Sequence, residues 1–92
     1  MKQMHVVFHG TVQGVGFRYA TKHIVKRYPV TGFVKNLSNG CVELLAEGEE
    51  SQLQSLLKDI QKSPLKHYIR ETDVQWNQMT GKYETFSVAF EF

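Results

Sequence analysis

The sequence predicts an α+β fold of the ferredoxin-like, split β-α-β kind. Two helices cover one face of a mainly antiparallel sheet, in the order β-α-β-β-α-β with a short extra strand. Three observations carry this. The apolar period switches between about 2 and 3.6 residues in that order along the chain. Asn39-Gly40 marks a tight hairpin between the second and third strands. Two helices of modest length suit one face of one sheet.

Each element has its own signature. In residues 4–12, MHVVFHGTV, Met4, Val6, Phe8 and Val12 share one parity, which marks a half-buried strand. From Phe17 the period becomes helical, with Phe17, Ala20, Ile24, Val25 and Tyr28 on one face and Lys22, Lys26 and Arg27 outside. Pro29 ends the pattern. Residues 31–37, TGFVKNL, form the second strand. In the third, residues 41–47, Val42, Leu44 and Ala46 face in, while Glu43, Leu45 and Glu47 face out. After Gly48, Glu49 and Glu50 suit the positive end of a helix, and Leu53, Leu56, Leu57 and Ile60 make its apolar face. Ser63-Pro64 stops it. Residues 67–77 make a fourth strand, with Tyr68, Val74 and Trp76 assigned to core packing. In residues 85–92, TFSVAFEF, the alternation points Phe86, Val88, Phe90 and Phe92 inward. Right-handed crossovers give the sheet order 4-1-3-2, with the last strand unplaced.

Residues 1–92 fit a single domain with one modest core. Eleven basic and nine acidic side chains leave a net charge of +2, too balanced for a protein that binds phosphate backbones in bulk, so no nucleic-acid partner is expected. Cys41 is the single cysteine, so no internal disulfide forms and a reducing compartment is expected. There is no long apolar leader and no run of about 20 apolar residues, so a cytoplasmic protein without membrane contact, most simply a monomer, is expected.

The chemistry concentrates in residues 10–20, GTVQGVGFRYA. Gly10, Gly14 and Gly16 fall within seven residues, directly before Arg18. Glycines permit close backbone approach, and a helix N-terminus offers unpaired N–H groups and a positive dipole end. Together they can nest a tetrahedral anion, to which an arginine adds two parallel donors. The loop lacks the lysine and hydroxyl of G-x-x-x-x-G-K-S/T, and Tyr19 stands where the dinucleotide fingerprint needs a third glycine. On the glycines alone, a phosphate nest and a plain strand-to-helix turn both stand. The predicted topology adds Asn36. The first two strands run parallel, so the loop and Asn36 share one sheet edge, with backbones about 10 Å apart across the strand between them.

Other residues receive plainer readings. His5 and His9 share a strand face but lie about 13 Å apart, too far to bind one ion, and His23 and His67 read as surface groups, so no metal site is assigned. Cys41 takes the outward parity beside Glu43, and no base is assigned to it. Lys35 adjoins Asn36 with opposite parity and reads as solvent-facing. An RNA-binding module is the rival class, since GVGFRY is superficially like K/R-G-F/Y-G-F-V. That motif belongs on a central strand, whereas this stretch lies between a strand and a helix and lacks the leading basic residue.

Two motifs bring a resemblance. Residues 10–18, GTVQGVGFR, resemble the first signature of the acylphosphatase family, G-x-V-Q-G-V-x-F-R. Residues 32–43, GFVKNLSNGCVE, resemble its second, G-x-V-x-N-x-x-x-G-x-V-E. The resemblance covers essentially the whole chain. It implies hydrolysis of carboxyl–phosphate anhydrides to a carboxylate and inorganic phosphate, with no metal or cofactor. The implied phosphate cradle falls on Gln13, Gly14, Val15, Gly16 and Phe17, the implied phosphate-binding arginine on Arg18, and the implied water-orienting asparagine on Asn36. Thr85 and Ser63-Pro64 depart from common family residues away from that site. A third reading keeps the fold without the hydrolysis, as an acyl- or carbamoyl-phosphate-handling domain of larger maturation proteins. Both Arg18 and Asn36 in a chain of 92 residues argue against it.

Overall fold

Alternating apolar residues build the strands and helical spacing builds the helices, in the order the sequence predicts. The computed structural model describes residues 1–89. Its elements are β1 (Lys2–Gly10), α1 (Phe17–Val25), β2 (Thr31–Asn36), β3 (Val42–Gly48), α2 (Glu50–Lys62), a short 3₁₀ turn (Pro64–Tyr68), β4 (Ile69–Gln78) and β5 (Phe86–Ala89). The inward assignment of Phe90 and Phe92 lies outside the described residues.

The sheet order is β4-β1-β3-β2-β5. β1 pairs antiparallel with both β3 and β4, and β2 pairs antiparallel with β3. The strand that pattern alone left unplaced, β5, pairs parallel with β2 and aligns Val34 with Val88. The helices pack against β1, β2, β3 and β5. Between sheet and helices lies one core of Met4, Val6, Phe8, Val34, Val42 and Leu44 from the strands, with Phe17, Ile24, Leu53, Leu56 and Ile60 from the helices. Phe8 and Phe17 meet at a centroid distance of 5.1 Å, which pins the start of α1 over β1. The Tyr28 hydroxyl donates to Asp59 and so ties the end of α1 to α2. That bond, with burial and the Asp59 charge, raises the Tyr28 pKa.

Four expectations need correction. α1 stops at Val25, because Arg27 and Tyr28 donate to Ile24 and Val25 in tightened turns before Pro29. Val74 and Trp76 sit opposite Val6 and Met4, hence on the helix side, yet they are 36% and 41% exposed. β4 is the outer strand beyond the helices, so inward parity there does not bring burial. Tyr68 belongs to the 3₁₀ turn and is exposed as well. Cys41 keeps its outward parity but is buried, with His9 Nδ1 3.2 Å from its Sγ.

Glu47, expected to face solvent, is 1% exposed. The segment after β4 folds over it. Glu47 accepts hydrogen bonds from the Thr80 N–H (2.9 Å), the Thr80 hydroxyl (2.8 Å), the Gly81 N–H (3.1 Å) and the Gln3 amide (2.9 Å). Burial by itself would raise the Glu47 pKa, but these donors together outweigh it and lower the pKa below the usual glutamate value. A folded-state pKa below the unfolded one stabilises the protein above the unfolded pKa of about 4.3, and that stability is lost as pH falls through the folded value. Glu47→Gln is expected to cost about 1–3 kcal/mol at pH 7. Its stability should also decline less steeply than wild type in acid, which urea unfolding between pH 7 and 3 measures. Parallel acid limbs would refute this role.

Candidate active site

β1 ends in a register shift between His9 and Gly10, and the Thr11 N–H donates to the Tyr68 carbonyl at 3.0 Å. The chain then leaves the sheet. Val12 is fully buried, so the loop over residues 13–16 is anchored from below. Gly14 and Gly16 take φ of +78° and +77°, and a Cβ at either would meet nothing within 4 Å. Glycine is therefore required for conformation rather than for space, since other L-residues pay about 1–2 kcal/mol in this region. Gly16 is the N-cap of α1. No side-chain cap bonds to that end, and its first turn carries no acid. The donors and positive dipole end of α1 are thus not matched by an acidic neighbour on the helix.

Arg18 lies in the first turn of α1. Its Nη1 donates to the Ala89 carbonyl of β5 at 3.0 Å, and its guanidinium carbon lies 6.0 Å from the centroid of the Tyr19 ring. Asn36 is the last residue of β2, across β3 from the end of β1. A pocket of about 210 Å³ is lined by Val12, Gly14, Gly16, Phe17, Arg18, Tyr19 and Asn36. Asn36 Oδ1 is buried without a hydrogen-bond partner among the described residues. An orphaned buried acceptor is costly, so its place beside Arg18 at the pocket marks a position for a donor such as water.

The predicted residues divide. Gly14, Gly16, Phe17, Arg18 and Asn36 come together around the pocket. Val15 is not a lining residue and packs on the core. Gln13 does not line the pocket either. Its Nε2 donates to the carbonyls of Leu37 at 2.7 Å and Cys41 at 2.8 Å, which ties the loop to the β2–β3 turn just beyond Asn36. Sequence reasoning missed this tie, because the acceptors lie 24 and 28 residues away and are backbone atoms. It also missed Val12 and Tyr19 as lining residues. The adjacency of Tyr19 to Arg18 was a signal for one of them.

The remaining candidates lie on the opposite sheet face. His5 bonds Glu43 at 2.6 Å, His9 bonds Asp73 at 2.8 Å, and Lys35 Nζ stands 3.6 Å from Glu43. His5 and His9 are thus each engaged by a carboxylate, while His23 lies on α1 and His67 in the 3₁₀ turn. Lys35, read as solvent-facing, is part-exposed on that face and lies 5.4 Å over the Phe33 ring.

Comparison with known proteins is consistent along the chain. The acylphosphatase family model matches residues 4–88. The chain is 40% identical over 91 residues to the acylphosphatase of Bacillus velezensis, covering 98% of this chain and all of that one. It is 36% identical over 90 residues to the acylphosphatase of Thermotoga maritima, covering 98% and 99% of the two chains. The crystal structure of acylphosphatase from Bacillus subtilis superposes with a TM-score of 0.87 at 34% identity, over 97% of this chain and 99% of that one. Full-length HypF in its phosphate- and nucleotide-bound form gives a TM-score of 0.79 at 26% identity, over 97% of this chain but 12% of the larger protein. Matched in this way from the first strand to the last, the chain belongs to the acylphosphatase family of hydrolases.

Proposed function

We propose that the chain hydrolyses small acyl phosphates with the phosphoryl group held by the Gln13–Phe17 loop and Arg18, and the attacking water held by Asn36. The observation that carries this is the convergence of Arg18, the left-handed glycine pair and the orphaned Asn36 Oδ1 on one pocket.

The chemistry needs little more. Phosphoryl transfer depends mainly on positioning and on neutralising the equatorial oxygens. Loop N–H groups and the Arg18 guanidinium supply fixed positive charge for this. Asn36 accepts a hydrogen bond from water through Oδ1, and its amide NH₂ can donate to a phosphoryl oxygen. The water oxygen forms a bond to phosphorus as the bond from phosphorus to the acyl oxygen breaks. The electron pair leaves with a carboxylate whose conjugate acid has a pKa of about 4, so no general acid is required. Neutral Asn36 is too weak a base for the water proton, which passes to a phosphoryl oxygen of the substrate. The products are a carboxylate and inorganic phosphate. The same reading has the chain act as a cytoplasmic monomer without metal or cofactor, because Arg18 and the backbone donors supply the charge.

Three variants test the assignment, with benzoyl phosphate as substrate in EDTA. Arg18→Ala should raise KM and the inhibition constant of inorganic phosphate together, with kcat/KM reduced by on the order of 10³. An unchanged KM would remove Arg18 from phosphate binding. Asn36→Ala should lose about 10²–10³ in kcat while inorganic phosphate still binds, and near-normal kcat would refute the water-holding role. Gln13→Ala should cost about 10² in kcat/KM by loosening the loop against Asn36. Wild-type rates in that variant would show that the tie does not position the loop.

A further inference from the structure

We propose that Tyr19 forms the acyl-group side of the site and makes the enzyme selective for aromatic acyl phosphates over acetyl phosphate. This rests on the acyl-phosphate reading above and adds the substrate class to it.

Tyr19 is an aromatic side chain without a place in the core. Phe17, Thr21, Ile24 and Val25 are the residues α1 buries, while Tyr19 is 59% exposed. An aromatic ring left in water on a small domain forgoes the burial that usually stabilises it. Its position answers that loss, because it lines the same pocket as Arg18 and Asn36. The phosphoryl group is common to all substrates and takes the loop N–H groups and Arg18. The acyl carbon lies one bond beyond the bridging oxygen, outside that cradle. In-line displacement also sends the acyl group away from the water held at Asn36. Asn36 comes from the sheet, whereas Tyr19 comes from the helix, next to the arginine that grips the phosphoryl group.

Three further features fit an aromatic acyl group. The Tyr19 ring is held near the Arg18 guanidinium, 6.0 Å from its carbon, so the ring and the phosphate anchor keep a defined relation. The other large side chains among the lining residues, Val12 and Phe17, are buried in the core, which leaves the Tyr19 ring as the exposed apolar surface there. Among the described residues that line it, the charged and amide groups are Arg18 and Asn36, both assigned to the phosphoryl group and water. A flat apolar acyl group can therefore cover the Tyr19 ring in offset or tilted contact. An acetyl group is too small to do so.

The test compares kcat/KM for benzoyl phosphate and acetyl phosphate in wild type, Tyr19→Ala and Tyr19→Phe. Tyr19→Ala should lower the benzoyl-to-acetyl ratio about three- to tenfold, chiefly through KM for benzoyl phosphate, in line with the strength of an aromatic pair. Tyr19→Phe should keep the wild-type ratio. An unchanged ratio in Tyr19→Ala, or equal losses on both substrates, would overturn the assignment while leaving the hydrolase reading intact. Failure of wild type to hydrolyse either substrate would instead overturn the hydrolase reading itself.

Discussion

The insertion of β3 between the parallel strands β1 and β2 is the constraint on which this molecule depends. It sends the C-terminal ends of β1 and β2 to one edge of the sheet, with a single strand between them. That places the glycine loop and Asn36 on the same rim. It also leaves the carbonyls of Leu37 and Cys41, on either side of the tight β2–β3 turn, facing the loop. The Gln13 amide closes on both of them. With both amide protons used, Gln13 cannot also be a side-chain ligand, and the loop is joined to the strand that carries its partner residue. Two halves of a site made from segments about twenty residues apart are thus tied directly to each other.

Three features that the fold leaves open to a ligand lie at the proposed site. Gly14 and Gly16 hold a backbone conformation that other residues resist. The start of α1 has no side-chain cap. Asn36 Oδ1 is buried and orphaned. The uncapped helix start and the orphaned oxygen are the two unfavourable ones, and the proposed phosphoryl group and its attacking water would satisfy both. The opposite sheet face is arranged in the reverse way. There His5, Glu43 and Lys35 form one cluster and His9, Asp73 and Cys41 another, so the polar groups satisfy one another.

β5 shows how a peripheral element serves the centre. It extends the sheet next to β2 and supplies the Ala89 carbonyl to Arg18. A guanidinium anchored through one nitrogen loses less freedom when it binds a phosphate, because part of the ordering is already done in the folded protein. Glu47 holds the connection that leads into β5, through Thr80 and Gly81. The buried carboxylate therefore bears on the position of the arginine although it lies on another part of the sheet.

The sequence by itself determined the order of elements, the inward parity of the strands among the described residues and most of the residues that meet at the proposed site. Those properties are local, being set by period, turn chemistry and motifs read within a few residues. Alternation named Met4, Val6 and Phe8, and the glycine spacing named the loop. Parity, however, tells which side a residue faces and not what covers it. Trp76 and Val74 point toward the helices but lie beyond them, while Glu47 and Cys41 point away and are buried, Glu47 under the Thr80–Gly81 segment and Cys41 against His9. Only the tertiary structure decided these cases, along with the place of β5, the tie made by Gln13 and the entry of Tyr19 into the pocket wall. Apart from Tyr19, whose adjacency to Arg18 was a local signal, each depends on a contact between residues distant in sequence, for which no short-range pattern exists.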